Sequence, residues 1–180
     1  MQGSPDMAEK APVKNGKLRL ILDDITNLDI ESFVFYANHD LKLGSGYGNA
    51  ISMRGGPTIQ DELNKLGPLK TTEAVVSGAG ELKARYIIHA VGPRFQEADM
   101  DAKLSKTILK SLETAENKGI KAIALPAMGA GFYGVPLDKC AEIMTSAISE
   151  YLSGQTNIEE VVICAVDNHE FLAFEKQLSS

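Results

Sequence analysis

Residues 122–136 have the sequence AIALPAMGAGFYGVP, which predicts a buried strand, a glycine-rich loop and the start of a helix. The apolar run Ala122–Leu125 is short and unbroken, as in a strand that helices cover on both faces. The three glycines of the loop let the backbone turn tightly and point its N–H groups at a ligand. Pro136 suits the first position of a helix, whose positive end would face the same loop. We expect a phosphate cradle here, although such glycines could also serve only to connect a strand to a helix.

Length and charge limit the function classes. The chain has 180 residues, of which 44% are hydrophobic, enough for one α/β domain with a core. The net charge of −6 argues against general nucleic-acid binding, which needs clustered Lys and Arg. It does not argue against one small anionic ligand, because a glycine loop binds phosphate through backbone N–H groups.

The expected location is cytoplasmic. No apolar run approaches the roughly 20 residues that span a bilayer, and no apolar segment near Met1 resembles a signal peptide. The two cysteines, Cys140 on a predicted helix and Cys164 in a predicted strand, are expected to be small buried hydrophobes, not a disulfide or a metal pair.

The domain is expected to cover residues 17–180, after a flexible polar arm at residues 1–16. Strands and helices alternate in the second half of the chain, which is typical of a mostly parallel sheet with helices on both faces. The predicted elements include strands at 17–22, 33–37, 73–77, 86–91, 122–125 and 161–166, and helices at 49–54, 57–66, 101–118, 137–151 and 169–177.

Polar or glycine-rich segments follow four of these strands. Asp24 follows the first strand, and Asn38 with the glycine loop 44–48 follows the second. The loop 129–134 follows the strand at 122–125, and Asp167 follows the strand at 161–166. Because ligands of α/β sheets bind beyond the carboxyl ends of parallel strands, all four segments would meet in one cleft. Two glycine loops could hold a diphosphate, Asp24 could accept a hydrogen bond from a purine amino group, and Asn38 could bind sugar hydroxyls.

The chain resembles a macro domain, the ADP-ribose-binding module, over nearly its whole length. Five motifs carry the resemblance, in the family's order and spacing: Asp24-Ile25-Thr26, Ala37-Asn38 with Leu41, Gly44-Ser45-Gly46, Tyr86 to Pro93 ending in Val-Gly-Pro, and Pro126 to Pro136. The resemblance implies a three-layer α/β/α fold with a mixed, mostly parallel sheet. It also implies a module that binds ADP-ribose, free or protein-linked, and that in some members hydrolyses an ADP-ribose derivative without a metal or a cofactor.

The resemblance assigns roles to individual residues. Asp24 and the backbone of Ile25 would bind the adenine, and Val166 would lie near its face. Asn38 would bind the distal ribose, with Phe132 beside it. The expected ligand-binding set is Asp24, Ile25, Asn38, Gly44, Ser45, Gly46, Tyr47, Gly48, Met128, Gly129, Ala130, Gly131, Phe132, Tyr133, Val166 and Asp167.

Four positions depart from the family pattern. Phe35-Tyr36 replaces the usual Asn-Ala, and Asp23 stands where Gly is usual. Gly48 falls where one class of hydrolytic members carries an aspartate that would orient the attacking water. The absence of that aspartate argues against that class of hydrolase activity, but not against a mechanism in which the substrate's own phosphate positions the water.

Two histidines lead to different expectations. His39 follows Asn38 in the cleft loop and could act as a general acid or base, since its ordinary pKa is near 6.5. With Asn38 it forms the candidate catalytic pair. His89 lies in the middle of a strand and is expected to be a hydrogen-bonded core residue.

Two other functions fit parts of the sequence. Residues 129–134 spell G-x-G-x-x-G between a strand and a helix, with Asp167 after the next strand, as in NAD-dependent oxidoreductases. That fingerprint usually follows the first strand of its fold, and no hydride-transfer set is evident. Stacking on Tyr47 or Phe132 could also bind single-stranded RNA, against which the negative charge argues. No residue spacing indicates a metal site or an acyl-transfer triad.

Overall fold

Six strands form one mixed sheet, which a computed structural model describes for residues 17–44 and 46–179. The strands are β1 (Leu18–Leu22), β2 (Ser32–Tyr36), β3 (Ala74–Gly78), β4 (Tyr86–Ala90), β5 (Ala122–Leu125) and β6 (Glu160–Ala165). They lie in the order β1-β6-β5-β2-β4-β3. All neighbouring pairs are parallel except β3 and β4, which are antiparallel.

Helices cover both faces of this sheet. The helices are α1 (Tyr47–Gly55), α2 (Thr58–Leu63), α3 (Met100–Lys118), α4 (Leu137–Ser153) and α5 (Asn168–Leu178), with short 3-10 turns at Ile25–Asn27 and Gly131–Tyr133. The core residues of α3, α4 and α5 pack on one face and those of α1 and α2 on the other. The fold is therefore the expected three-layer α/β/α arrangement with a mixed, mostly parallel sheet.

The long helices bury the stripes that their sequences predict. On α3, Leu104, Ile108, Leu112 and Ala115 are all buried, and Gly119 ends the helix in the left-handed conformation. On α4, Cys140, Met144 and Ile148 form the buried stripe. Because residues three and four apart share one helix face, each stripe packs along the sheet as a continuous layer.

Most predicted elements differ from the structure by one or two residues at their ends, where helices and strands fray. The largest differences are in the helix predicted at 57–66, which ends at Leu63, and in the helix predicted at 49–54, which begins earlier, at Tyr47. The predicted arm at 1–16 lies outside the described residues.

Candidate functional site: a cleft at the carboxyl ends of four parallel strands

The carboxyl ends of β1, β6, β5 and β2 form one edge of the sheet, because these four strands are adjacent and parallel. Strand order then fixes the sequence of features along this edge. Ile25 follows β1, Glu170 lies beyond β6, the loop 126–134 follows β5, and Asn38 follows β2. Neighbouring strands lie about 4.8 Å apart, so the three intervals from β1 to β2 cover about 14 Å.

A cavity of about 310 Å³ opens along this edge. Its lining is mostly apolar and aromatic and includes backbone from both glycine loops. The residues are Ile25, Phe33, Val34, Phe35, Tyr36, Asn38, Gly46, Tyr47, Pro126, Ala127, Gly129, Ala130, Gly131, Tyr133 and Glu170. Such a mixture of apolar walls with a few polar groups is typical of a small-molecule site.

The loop 129–134 is shaped by three left-handed glycines. Gly129, Gly131 and Gly134 have φ of 85°, 68° and 81°. A Cβ at Gly129 would lie 2.8 Å from Cγ2 of Val135, so a side chain there would collide with the helix entry. A Cβ at Gly131 would meet no atom within 4 Å, because this residue borders the open cavity. Among the described hydrogen bonds none is donated by the N–H of Gly129 or Gly131.

The loop 44–48 lies across the cleft from the loop 129–134. Gly46 has φ of 55° and precedes α1, so the first N–H groups of that helix lie beside the cavity. Gln60 fixes the backbone just before this loop. Its Oε1 accepts from Leu43 N at 2.9 Å, and its Nε2 donates to Leu41 O at 3.2 Å. Gly46 and Tyr47 line the cavity, whereas Gly44 does not, and Ser45 lies outside the described part of the chain.

Gly48 packs against an aromatic ring. It is buried, and a Cβ built on it would lie 3.0 Å from Cζ of Phe35 and 3.3 Å from Cα of Leu43. Phe35 itself lines the cavity and meets His89 edge-on, with 6.1 Å between the ring centroids. Two of the departures from the family pattern thus lie next to each other, and the ring of Phe35 would crowd a side chain at position 48.

Asn38 is tied to the opposite loop. Tyr133 Oη donates to Asn38 Oδ1 at 2.9 Å, so the amide oxygen is engaged. The ring centroids of Tyr133 and Tyr36 lie 4.6 Å apart. The guanidinium of Arg94 lies 5.8 Å from the ring centroid of Tyr133. Burial raises the pKa of Tyr133 despite the nearby cation, so the phenol stays a hydrogen-bond donor at neutral pH. Asn38 Nδ2 also donates to Lys42 O at 3.5 Å, which leaves one amide N–H and one lone pair of Oδ1 to bind a ligand.

His39 lies outside the cavity lining. Its Nδ1 is 2.8 Å from Leu69 O, and since a carbonyl only accepts, Nδ1 carries the proton and donates. Leu69 N in turn donates to His39 O at 2.9 Å. These paired bonds join the segment after β2 to the segment that leads into β3.

Asp24 begins the 3-10 turn after β1. Its Oδ1 accepts from Thr26 N at 3.0 Å and from Thr26 Oγ1 at 2.7 Å, and its Oδ2 accepts from Arg54 Nη1 at 2.8 Å. Burial opposes the charge, but the hydrogen bonds from Thr26 and Arg54 outweigh it and hold the pKa of the carboxyl below its ordinary value. Asp24 therefore stays an acceptor at neutral pH, beside the cavity wall that Ile25 forms.

The β6 end carries a second carboxyl group, Glu170. Asp167 begins α5 and accepts from Glu170 N at 2.9 Å, and Glu170 Oε1 accepts from Val166 N at 3.0 Å. Burial, with a smaller effect of Asp167, raises the pKa of Glu170. Val166 and Asp167 are exposed and do not line the cavity, whereas Glu170 does.

The structure brings together eight of the residues expected to bind ligand: Ile25, Asn38, Gly46, Tyr47, Gly129, Ala130, Gly131 and Tyr133. The cavity lining does not include Asp24, Gly44, Gly48, Val166 or Asp167. Met128 is fully buried in the core, and its N–H points at the sulfur of Met144, 3.3 Å away. Nothing is described of the side chain of Phe132.

The sequence patterns did not identify Glu170, Phe35 or Tyr36 as residues that line the cleft. Glu170 stands three residues after the helix-capping Asp167, a spacing typical of a capping box, and this was the available signal. Phe35 and Tyr36, which depart from the family pattern, both line the cavity. Pro126 and Ala127, also unassigned, contribute lining because they leave β5 directly beneath the second glycine loop.

In residues 17–44 and 46–179, no group of three or more His, Cys, Asp or Glu side chains is placed to hold a metal ion. Within the same residues, no helix has the length and apolar character needed to cross a membrane. Both cysteines are buried free thiols.

Comparison with known proteins agrees with this geometry. The family model of the macro domain matches residues 34–144. A macro domain-containing protein of Caldanaerobacter subterraneus subsp. tengcongensis is 36% identical over 89% of this chain and 94% of its own length. The O-acetyl-ADP-ribose deacetylase 1 of Pantoea vagans is 33% identical over 91% of this chain and 99% of its own. An uncharacterized Thermotoga maritima protein is 35% identical over 98% of this chain, but the match spans only 31% of that protein.

Solved structures show the same fold. An Oceanobacillus iheyensis macrodomain variant with ADPR superposes with a TM-score of 0.90 at 24% identity, covering 96% of this chain and 97% of the other. At that identity the likeness concerns the fold. The family model and the relatives establish the rest: this chain belongs to the macro domain family.

Proposed function

We propose that this macro domain binds ADP-ribose, free or attached to a protein, in the cleft at the carboxyl ends of β1, β6, β5 and β2. One observation carries the proposal: two glycine loops border the same cavity, and backbone N–H groups on both have no described partner. Such groups bind phosphate oxygens, and the N-terminus of α1 adds its positive end. Ile25, Glu170, the loop 126–134 and Asn38 follow one another along about 14 Å of this edge. This arrangement suits an elongated ligand with a nucleoside at one end and a sugar at the other.

The proposed roles follow the strand order. Asp24 and the backbone of Ile25 bind the adenine at the β1 end. The loops 44–48 and 129–134 enclose the diphosphate. Asn38 donates from its amide nitrogen to the distal ribose at the β2 end, in the orientation that Tyr133 fixes. A cytoplasmic location is part of this proposal, supported by the two unpaired cysteines.

Hydrolysis of an ADP-ribose derivative is the second candidate activity, favoured by the name of the Pantoea vagans relative. The cleft of this chain has no carboxylate at position 48, and His39 does not line the cavity. Binding is therefore placed ahead of hydrolysis. Acetate release from O-acetyl-ADP-ribose, compared between the wild-type protein and Asn38→Ala, would detect the activity and locate it.

Calorimetric titration with ADP-ribose tests binding, with AMP, NAD and oligo(A) as comparators. We expect ADP-ribose to bind with micromolar affinity and the comparators much more weakly. Tight NAD binding would favour the oxidoreductase alternative, and tight oligo(A) binding the RNA alternative. A cleft that binds no ADP-ribose would contradict the proposal.

A substitution in the second loop tests the site. We expect Gly131→Glu to abolish binding, because the side chain would enter the cavity and repel the diphosphate. Gly119→Glu is a matched control, since Gly119 also has positive φ (84° against 68°) and open space around its Cβ. Both variants place a side chain at a residue of positive φ, but Gly119 ends α3 away from the cleft. Binding retained by Gly131→Glu would remove this loop from the site.

A further inference from the structure

Glu170 is the one acidic side chain in the described lining of the cavity. It comes from the first turn of α5, at the β6 end of the cleft, and is half-buried. Its Oε1 accepts from Val166 N at 3.0 Å. No described residue donates to Oε2, so the carboxylate keeps one acceptor oxygen for a ligand.

The surroundings of Glu170 are predominantly negative. Burial raises the pKa of the nearby Tyr47, and the charges of Glu170, Asp24 and Asp167 raise it further. Arg54 offsets part of this charge by pairing with Asp24, and the imidazole of His169 lies beside Glu170. Both lie outside the cavity lining, so Glu170 is the charge that a ligand in the cavity would meet first.

Strand order identifies the part of the ligand that would lie here. Glu170 shares the β1–β6 end with Ile25 and Tyr47, while Asn38 lies at the β2 end. With adenine at Ile25 and the diphosphate between the glycine loops, the group next to Glu170 is the ribose of the adenosine half. A carboxylate accepts hydrogen bonds from ribose hydroxyls and repels a phosphate attached to them, as in sites that distinguish NAD from NADP.

We propose that Glu170 determines specificity at this end of the cleft, selecting ADP-ribose with free adenosine hydroxyls against ADP-ribose that carries a phosphate on the adenosine ribose. The proposal rests on the proposed ADP-ribose binding and goes beyond it, because it names which chemical forms of the ligand are accepted. The alternative is that Glu170 only stabilises the start of α5 through its bond to Val166.

The specificity role and the purely structural role can be distinguished by titration. The wild type and Glu170→Gln are each titrated with ADP-ribose and with ADP-ribose 2′-phosphate. The glutamine oxygen can still accept from Val166 N, so the helix start is preserved while the charge is lost. Glu142→Gln on the exposed face of α4 removes the same charge away from the cavity and is the control. We expect the wild type and the control to prefer ADP-ribose by about tenfold or more, and Glu170→Gln to lose most of that preference.

The salt dependence of the preference for ADP-ribose is a second test of the specificity role. If charge repulsion causes the preference, it should shrink between roughly 0.05 M and 0.5 M salt in the wild type and change little in Glu170→Gln. ADP-ribose bound with the same preference by both proteins would overturn the specificity role and leave the proposed function intact. A wild type that binds no ADP-ribose would overturn both.

Discussion

The contact between Gly48 and Phe35 shows how one position constrains another across the cleft. A Cβ at position 48 would lie 3.0 Å from the Phe35 ring, closer than side chains normally approach. Leu43 backbone at 3.3 Å blocks the other direction. An acidic side chain at position 48 thus requires the Phe35 ring to shift or a smaller residue at position 35, and these two departures from the family pattern are physically coupled.

Gly48→Asp is expected to lower the free energy of unfolding by about 1–2 kcal/mol. Overpacking costs about 1–3 kcal/mol, and removing a glycine from the first helical turn returns part of it. In a Phe35→Leu background, which lacks Cζ, the cost should fall by more than about 0.5 kcal/mol. Urea unfolding of the four proteins measures this coupling.

Asn49→Asp is the control for Gly48→Asp, since it adds an acid to the same helical turn at an exposed position. We expect it to change stability by less than about 0.5 kcal/mol. Equal costs of Gly48→Asp in the two backgrounds would show that Phe35 is not the obstacle.

His89 is a buried histidine with one defined proton position. Ser77 Oγ donates to Gly78 O at 2.8 Å, so it accepts from His89 Nε2–H, also at 2.8 Å. Nδ1 then carries no proton, and no described group bonds to it. Burial lowers the pKa of His89 to about 3, because a charged ring in this position would be desolvated. His89 is thus the hydrogen-bonded core residue expected from its place in the strand.

This lowered pKa predicts a pH dependence of stability. The unfolded histidine takes up a proton near its ordinary pKa of 6.5, whereas the folded one does so only near 3. The contribution of neutral His89 is complete above pH 6.5 and is lost as the pH falls, by at most about 1.4 kcal/mol per pH unit. We expect His89→Gln to flatten the slope of unfolding free energy between about pH 4 and 6. Identical slopes for variant and wild type would contradict a neutral buried histidine.

At the scale of elements, Glu116 joins α3 to the segment that links α4 to β6. Its carboxylate accepts from Tyr151 Oη at 2.7 Å, from Thr156 Oγ1 and from Asn157 N at 2.7 Å. Burial opposes the charge, but these hydrogen bonds outweigh it and lower the pKa of Glu116. One side chain thus fixes the turn that leads into β6, the strand from which Val166 and Glu170 emerge.

Glu116→Ala is expected to destabilise the protein by about 1–3 kcal/mol, because three donors lose their acceptor. The control is Glu113→Ala on the same helix, where an exposed pair with Lys110 at 3.2 Å contributes about 0–1 kcal/mol. Denaturant unfolding compares the two. Similar small losses in both would show that Glu116 does not anchor the segment.

At the scale of the whole molecule, the cleft is built from segments far apart in sequence. Asn38 and Tyr133 are bonded across 95 positions, and Asp24 and Arg54 across 30. A ligand in the cleft would contact segments after four strands at once. Binding should therefore stabilise the folded domain as a unit.

Saturating ADP-ribose is expected to raise the melting temperature. At a ligand concentration about 100 times Kd the stabilisation is about 2.7 kcal/mol, or roughly 5–10 °C for a chain of this size. Differential scanning calorimetry measures the shift, which Gly119→Glu should retain and Gly131→Glu should lose. A wild-type melting temperature that ADP-ribose leaves unchanged would argue against binding in the cleft.

The sequence by itself determined the elements, the fold class and the edge of the sheet where the cleft lies. These follow from local patterns: apolar runs for buried strands, helical spacing on α3 and α4, and glycines where the backbone must turn. The roles expected for Asp24, Asn38 and the two loops remain proposals, which the placement of Ile25, Asn38 and the glycines along one cavity supports.

Only the tertiary structure decided which side chains face the cavity and which are already engaged. The Arg54–Asp24 pair, the Tyr133–Asn38 bond, the Phe35–Gly48 contact and the exposure of Glu170 to the cavity each join different elements. A local pattern cannot predict them, because strand order and helix orientation fix the distance between residues tens of positions apart. The sequence thus specified which segments follow the strands, and packing specified which side chains come together at the cleft.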